Sequence, residues 1–326
     1  MPALANLLPR RPGAPVPEPA RPTRRPEGVP LAPFGAAATA EEVTAGLDLA
    51  GRLVLVTGAT SGIGFETARV LALRGAEVVV AGRTLAKARA ACSALPGRCT
   101  PLALELTDYP GVVQAAQAVR ALGRPLDVLV CNAGVMSLPR LEQVRGIEKQ
   151  FATNHLGHFL LVQHLLERVQ AAPQGRVVVV SSYVMSWSHP EGIEWDDLAG
   201  ERCYHPARAY GQSKLANALF ALALARRLQG TRATANSLEP GYVDTALFRH
   251  YWPSLRGFRG LLTRKMTVAQ GAATPCCLAA APSLTGVSGH HFAECNPVVP
   301  IDRAKDPAAA ARLWEVSAGL LRPFMP

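Results

Sequence analysis

Long hydrophobic runs are missing from this sequence. The longest, "VVVV" at 177–180 and "ALFALALA" at 218–225, fall far short of the roughly 18 residues that span a bilayer, so no transmembrane helix is expected. Cysteine is scarce and odd in number: the seven residues (92, 99, 131, 203, 276, 277 and 295) contain no C-x-x-C spacing. That pattern argues against a disulfide framework and a zinc site, and favours a reduced, cytoplasmic setting. Eight histidines are scattered without an H-E-x-x-H pattern, so no metal is expected. The net charge of +10 is spread thinly and no groove-reading motif accompanies it, which excludes a base-reading nucleic-acid partner.

The first 35 or so residues are crowded with Pro and Arg, which sustain no helix and bury little. We place a disordered arm at residues 1–45. It has neither the apolar core of a secretory signal nor the serines of a transit peptide. From residue 52 short Val/Leu-rich runs alternate with longer helical segments, the pattern of βαβ units building a parallel sheet. Strands are expected at 52–58, 77–83, 100–106, 126–134, 175–182, 231–241 and 289–294. No linker or repeat interrupts them. The chain therefore reads as α/β: a Rossmann-type doubly wound parallel sheet in a single domain at 46–326, preceded by the arm.

"VTGATSGIGFETARV" sets Gly58, Gly62 and Gly64 between a buried strand and a helix. Glycines there permit a tight turn, a close backbone approach and a helix N-terminus whose free N–H groups attract a pyrophosphate. Thr60, Ser61 and Ile63 share the turn. No carboxylate lies between Glu77 and Glu105, whereas Arg83, Lys87 and Arg89 do. An arginine suits a 2′-phosphate where an acid would suit the free ribose, so NADP(H) is favoured and NAD(H) stays open; Arg83 could equally start a solvated helix.

Tyr210 and Lys214 lie one helical turn apart in "RAYGQSKLAN". Alone they read as an ordinary solvated pair, or as a phenol made a usable acid/base by an ammonium. The wider pattern bears on the choice. T-G-x-x-x-G-I-G at 57–64, N-A-G at 132–134, a serine at a strand end and Y-x-x-x-K at 210–214 together resemble the short-chain dehydrogenase/reductase family over residues 50 to 295.

The resemblance implies Tyr210 as general acid/base, Lys214 favouring its phenolate and bonding the nicotinamide ribose, and Ser182 bonding the substrate carbonyl. It implies Asn154 supporting a water and proton relay. Asn132, Ala133 and Gly134 would steady the strand beside the cofactor, with Glu105 and Leu106 near adenine, where Glu105 replaces the usual Asp. Pro240, Gly241, Val243 and Thr245 would line the nicotinamide side. The "GIEWDDL" and "AYGQSKLAN" phrasing is similar to the retinol-dehydrogenase and WW-domain-oxidoreductase branch. All four tryptophans lie downstream of the glycine turn, so no N-terminal WW module is expected.

The segment 246–266, "ALFRHYWPSLRGFRGLLTRKM", interleaves aromatics with basic residues and has no acid. It would form a lid over the substrate, its aromatics lining an apolar pocket and its basic face meeting water or the surface of a membrane. The expected substrate is a small hydrophobic carbonyl or alcohol, and a homo-oligomer is the family default. The rival reading is a nucleotide-binding regulatory or scaffold protein with weak catalysis on the same fold.

Overall fold

The computed structural model describes residues 25–243 and 265–326. Helix α1 (Ala40–Val43) leads into β1 (Leu53–Thr57), α2 (Gly62–Leu73), β2 (Glu77–Gly82), α3 (Leu85–Ser93), β3 (Cys99–Ala103) and α4 (Tyr109–Arg120). Strand β4 (Val128–Cys131) is followed by the hairpin β5 (Gln143–Val144) and β6 (Ile147–Glu148), then by α5 (Lys149–Phe151) and α6 (Gly157–Gln170). Next come β7 (Arg176–Val180), the long α7 (Pro206–Arg227) and β8 (Thr234–Glu239). The described chain ends with α8 (Val268–Gly271), α9 (Ala273–Ala280), β9 (His291–Ala293), β10 (Asn296–Val298) and α10 (Pro307–Leu321).

Strands β1, β4 and β7 read as unbroken apolar runs because helices cover both faces of the sheet. Successive side chains point to opposite faces. Thus Leu53 and Leu55 pack with Leu129, Phe159 and Phe220 on one side, while Val54 and Val56 join Val130, Val178 and Val180 on the other. The strand order is β10-β9-β8-β7-β4-β1-β2-β3. Successive strands run outward from β1 in one direction and from β4 in the other, so the order reverses between these two. A crevice forms outside the carboxyl ends of such a pair, and ligands of open α/β sheets bind there.

Helix α10 closes the back of the α6/α7 face. Trp314 meets Phe159 edge-on at 5.0 Å and stacks on Phe220 at 6.0 Å, with the Arg227 guanidinium over its ring at 3.8 Å. Strand β8 is polar yet fully buried. Two of its polar side chains are satisfied locally: Asn236 Nδ2 donates to the Val287 carbonyl at 2.7 Å, and Ser237 Oγ lies 2.8 Å from His291 Nδ1.

Several expectations are corrected. Strand β3 ends at Ala103 and β4 at Cys131, where the chain turns toward Glu105 and toward Asn132, and β9 spans three residues because Glu294 and Cys295, with φ of 51° and 65°, turn the chain back into β10. The sheet has an antiparallel edge, β10 against β9, which the βαβ pattern does not announce. Cys92 and Cys99 form a disulfide across the short α3–β3 connection. The cysteine count speaks against a framework of bridges and is blind to one local pair. Within the span read as an arm, Val29, Ala32, Phe34 and Ala38 pack against the core and Ala40 is fully buried. Asn296 fastens this stretch, accepting from Ala32 N at 3.0 Å and donating to the Phe34 carbonyl at 2.7 Å. Residues 1–24, and the lid apart from Lys265 and Met266, lie outside the described residues.

Candidate active site

The end of β1 organises the cofactor side. Thr57 Oγ1 accepts from the backbone N–H of Asn132 at 2.9 Å and of Ala133 at 3.0 Å, and Asn132 Nδ2 donates to the Thr57 carbonyl at 2.9 Å. These bonds lash the N-A-G turn to the glycine turn. Gly58 and Gly62 have φ of 64° and 58°, a left-handed backbone that favours glycine. A Cβ on Gly64 would overlap the Asn132 amide and the Gly58 carbonyl. Helix α2 starts at Gly62 after Ser61, whose side chain makes no capping bond. Its first N–H groups are thus left for an anion, and the residues present fit the pyrophosphate of a dinucleotide.

Thr60 and Ile63 belong to this turn: Thr60 packs against Gly82 and Ile63 against Gly271. Arg83 follows β2 and is exposed, with Thr84 capping α3 through Lys87 N at 3.3 Å. Glu105 is engaged within its own turn, where Oε1 accepts from Thr107 N at 3.1 Å and Thr107 Oγ1 at 2.9 Å. Leu106 is buried beneath Gly157, where any Cβ would overlap its carbonyl.

Asn154 lies in a widened π-helical turn, Ala152–Leu156, that joins α5 to α6; such turns recur at functional sites. Its Oδ1 accepts from Val135 N at 2.8 Å, while Nδ2 donates to the Val135 carbonyl and to Ser213 Oγ, both at 2.9 Å. Ser213 Oγ in turn donates to the Tyr210 carbonyl at 2.8 Å. The amide thereby couples the loop after Gly134 to the helix that carries Tyr210 and Lys214.

Ser181 and Ser182 end the β7 run with different tasks. Ser181 Oγ donates to the Lys214 carbonyl at 2.7 Å, fixing α7 against the sheet. Ser182 caps the short 3-10 turn Tyr183–Trp187 by accepting from Val184 N at 3.4 Å. That leaves its hydroxyl proton for another acceptor. Tyr210 is buried with Met136 and Val184, and Tyr183 and Trp187 pack against this cluster.

Lys214 Nζ sits 5.6 Å from the centroid of the Tyr210 ring and donates to the Val180 carbonyl at 3.1 Å. Burial lowers the Lys214 pKa to about 8. Burial, followed by the charge of Tyr183, raises the Tyr210 pKa above the ordinary phenol value. The expected acidifying pull of the ammonium is thus outweighed by desolvation, and the phenol holds its proton.

Gly241, at φ 82°, leaves room for Met266. Val243 bridges to Met266, whose N–H donates to the Tyr242 carbonyl at 2.8 Å. Pro240 precedes this turn, and Thr245 lies outside the described residues. Thr57, His158 and Ser213 were missed as contributors to the site. Their spacing carried a usable signal, since His158 stands four residues after Asn154 and Ser213 three after Tyr210.

Fold and site define a nicotinamide-dependent oxidoreductase. The chain belongs to the short-chain dehydrogenase/reductase family, whose short chain dehydrogenase model matches residues 52–194. It is 39% identical over 301 residues to short-chain dehydrogenase TIC 32 B, chloroplastic, of Brassica napus, covering 88% of this chain and 94% of that protein. To retinol dehydrogenase 12 of Homo sapiens it is 39% identical over 280 residues, covering 84% of this chain and 88% of the relative. The crystal structure of an uncharacterised protein from Mycobacterium paratuberculosis superposes with a TM-score of 0.69 at 33% identity, covering 86% of this chain and 97% of that one.

Proposed function

We propose that the protein is an NADP(H)-dependent reductase of hydrophobic aldehydes or ketones, running in reverse on the matching alcohols. The observation that carries the reading is that Lys214 meets the end of β7, Ser182 caps the turn that follows it at Val184, and Asn154 reaches the Tyr210 turn through Ser213, all beside an apolar cluster of Met136, Val184, Tyr183 and Trp187. The bound nicotinamide would supply the hydride to the carbonyl carbon. Tyr210, kept protonated by burial, donates its phenolic proton to the oxygen. Ser182 donates a hydrogen bond to that same oxygen as charge gathers on it. Lys214, positive at neutral pH with a pKa of about 8, stabilises the phenolate left behind. The net change is reduction of C=O to CH–OH with oxidation of the dihydronicotinamide and uptake of one proton.

Exposed Arg83 and Lys87 beside the end of β2 support the choice of NADP(H). Among the described residues they form no ion pair that a 2′-phosphate would have to displace. The aromatic and basic segment 246–266 supports an apolar substrate and a peripheral contact with a membrane surface. A homo-oligomer remains the family default. The cytoplasmic reading rests on the odd cysteine count without C-x-x-C spacing, and the paired Cys92 and Cys99 speak against it.

The test is oxidation of NADPH and of NADH against a panel of straight-chain and aromatic aldehydes and ketones. Turnover with NADPH that exceeds turnover with NADH supports the reading. Tight NADPH binding without turnover anywhere on the panel moves the protein to the regulatory or scaffold class.

A further inference from the structure

His158 sits in the first turn of α6, 1% exposed, with both ring nitrogens engaged. Its Nδ1 lies 2.9 Å from the main-chain carbonyl of Asn154 and its Nε2 lies 2.8 Å from Thr57 Oγ1. A carbonyl only accepts, so Nδ1 carries the proton and Nε2 is left as an acceptor. Thr57 then donates its hydroxyl proton to Nε2. Its other available acceptor, the Val130 carbonyl, is more distant at 3.3 Å, and its lone pairs take the N–H groups of Asn132 and Ala133. Every proton in this run has one assignment. The chain reads Asn132 and Ala133 N–H to Thr57, Thr57 O–H to His158, and His158 N–H to the Asn154 carbonyl.

Both amide protons of Asn154 are already committed to Val135 and Ser213. The π-helical turn reaches beyond the Val135 loop and α7 in two other places: His155 Nε2 lies 2.7 Å from Ser317 Oγ of α10, and the Asn154 main-chain carbonyl meets His158, the link that leads to the cofactor end of the sheet. Burial pushes the His158 pKa down to about 4, the Asn154 bond opposes this, and the Lys214 ammonium adds to the lowering. The ring is thus neutral at working pH and close enough to Lys214 to feel its charge.

We infer that His158 is a positioning residue for Asn154: its two nitrogens tie the Asn154 carbonyl to Thr57 and the N-A-G turn, so the widened turn and the cofactor end of the sheet hold one register. This rests on the reductase reading above, in which that register sets the nicotinamide against Tyr210 and Lys214. His158 acts through Asn154 and Thr57 and touches no reacting atom.

Three substitutions separate the two arms. His158→Asn keeps an N–H donor at the δ position without an acceptor for Thr57, His158→Gln keeps an acceptor at the ε position without the δ donor, and His158→Phe keeps neither. The expected result, with the aldehyde on which the wild type turns over fastest, is a fall in kcat of about 10- to 100-fold for His158→Phe, the scale of a displaced reacting geometry. The NADPH KM should move far less than kcat, and the Asn and Gln variants should each recover part of the loss. Nitrogen-15 NMR of the imidazoles, with His158 assigned by its absence in a variant, should show a neutral ring protonated at Nδ1 at pH 7. This readout needs no substrate.

A charged ring or an Nε2–H tautomer overturns the inference, as do folded variants with lowered Tm and wild-type kcat. If His158→Phe does not fold, the two single-arm variants and the tautomer decide it. Tyr210→Phe runs in the same assay. Full activity there removes the reductase reading itself, whereas a dead Tyr210→Phe beside fully active His158 variants removes only this inference.

Discussion

Lys214 and Tyr210 are neighbours without being hydrogen-bonded to each other: the ammonium points to the Val180 carbonyl at 3.1 Å and lies 5.6 Å from the centre of the phenol ring. Asn217 Nδ2 donates to the same carbonyl at 3.0 Å, so the lysine is held by the end of β7. A charge at that distance in a buried site still stabilises a phenolate once one forms. It does not create one in advance, because desolvation holds the Tyr210 pKa above the ordinary value.

Tyr210→Phe removes the phenol proposed as proton donor and leaves the ring to fill the same space among Met136 and Val184. Turnover should fall about 100- to 10,000-fold, the range for general acid catalysis. NADPH affinity and Tm should stay near wild type. Steady-state kinetics alongside a fluorescence titration of NADPH checks this, and a variant with wild-type kcat would remove Tyr210 from the acid role.

The pH profile of kcat/KM for reduction reports groups of the free enzyme. His158 titrates near pH 4 and Tyr210 above the ordinary phenol value, which leaves Lys214, lowered to about 8, to change charge in the working range. Its cationic form exists below that value, so the rate should be level through neutral pH and decline above about pH 8. Lys214→Arg retains a cation at any accessible pH. If folded and active, it should carry the plateau further into the alkaline range. An identical alkaline limb in both proteins would assign it to another group.

Much of this was legible in the sequence because it is local. Gly58 follows β1 and Gly62 and Gly64 open α2, as their spacing implies, and Tyr210 and Lys214 share α7 because residues four apart share a helix face. What stayed hidden depends on contacts between distant parts of the chain. Asn296 takes the N–H of Ala32 across 264 residues, and Thr57 meets His158 across 101. No periodicity announces either bond. The π-helical turn at Ala152–Leu156 differs from α-helix by one residue per loop of hydrogen bonds, a change that the apolar spacing does not record. The balance of burial against charge at Tyr210 also required the fold, since a sequence names the neighbours but not the depth.

Arg83→Ala should separate the two cofactors. A charge-assisted bond to phosphate contributes about 1.5–3 kcal/mol, and the exposure of Arg83 argues for the lower end. NADPH affinity should then weaken about tenfold while NADH affinity is nearly unchanged. Isothermal titration with each nucleotide makes the comparison, and equal losses would place the 2′-phosphate contact on another residue.

Leu313→Ala tests how firmly α10 is seated. Leu313 is 1% exposed and packs in the cluster that contains Phe159, Phe220 and Leu224. Removing its side chain should cost about 2–5 kcal/mol, the range for a buried leucine truncated in a well-packed core. Urea denaturation followed by circular dichroism measures this. Because α10 covers the back of α6 and α7, away from the turn that holds Ser182 and Val184, kcat measured well below the new Tm should remain near wild type. A loss of stability below about 1 kcal/mol would mean that the leucine's neighbours collapse into its place. A large fall in kcat with little change in stability would mean that α10 sets the register of Tyr210 from behind.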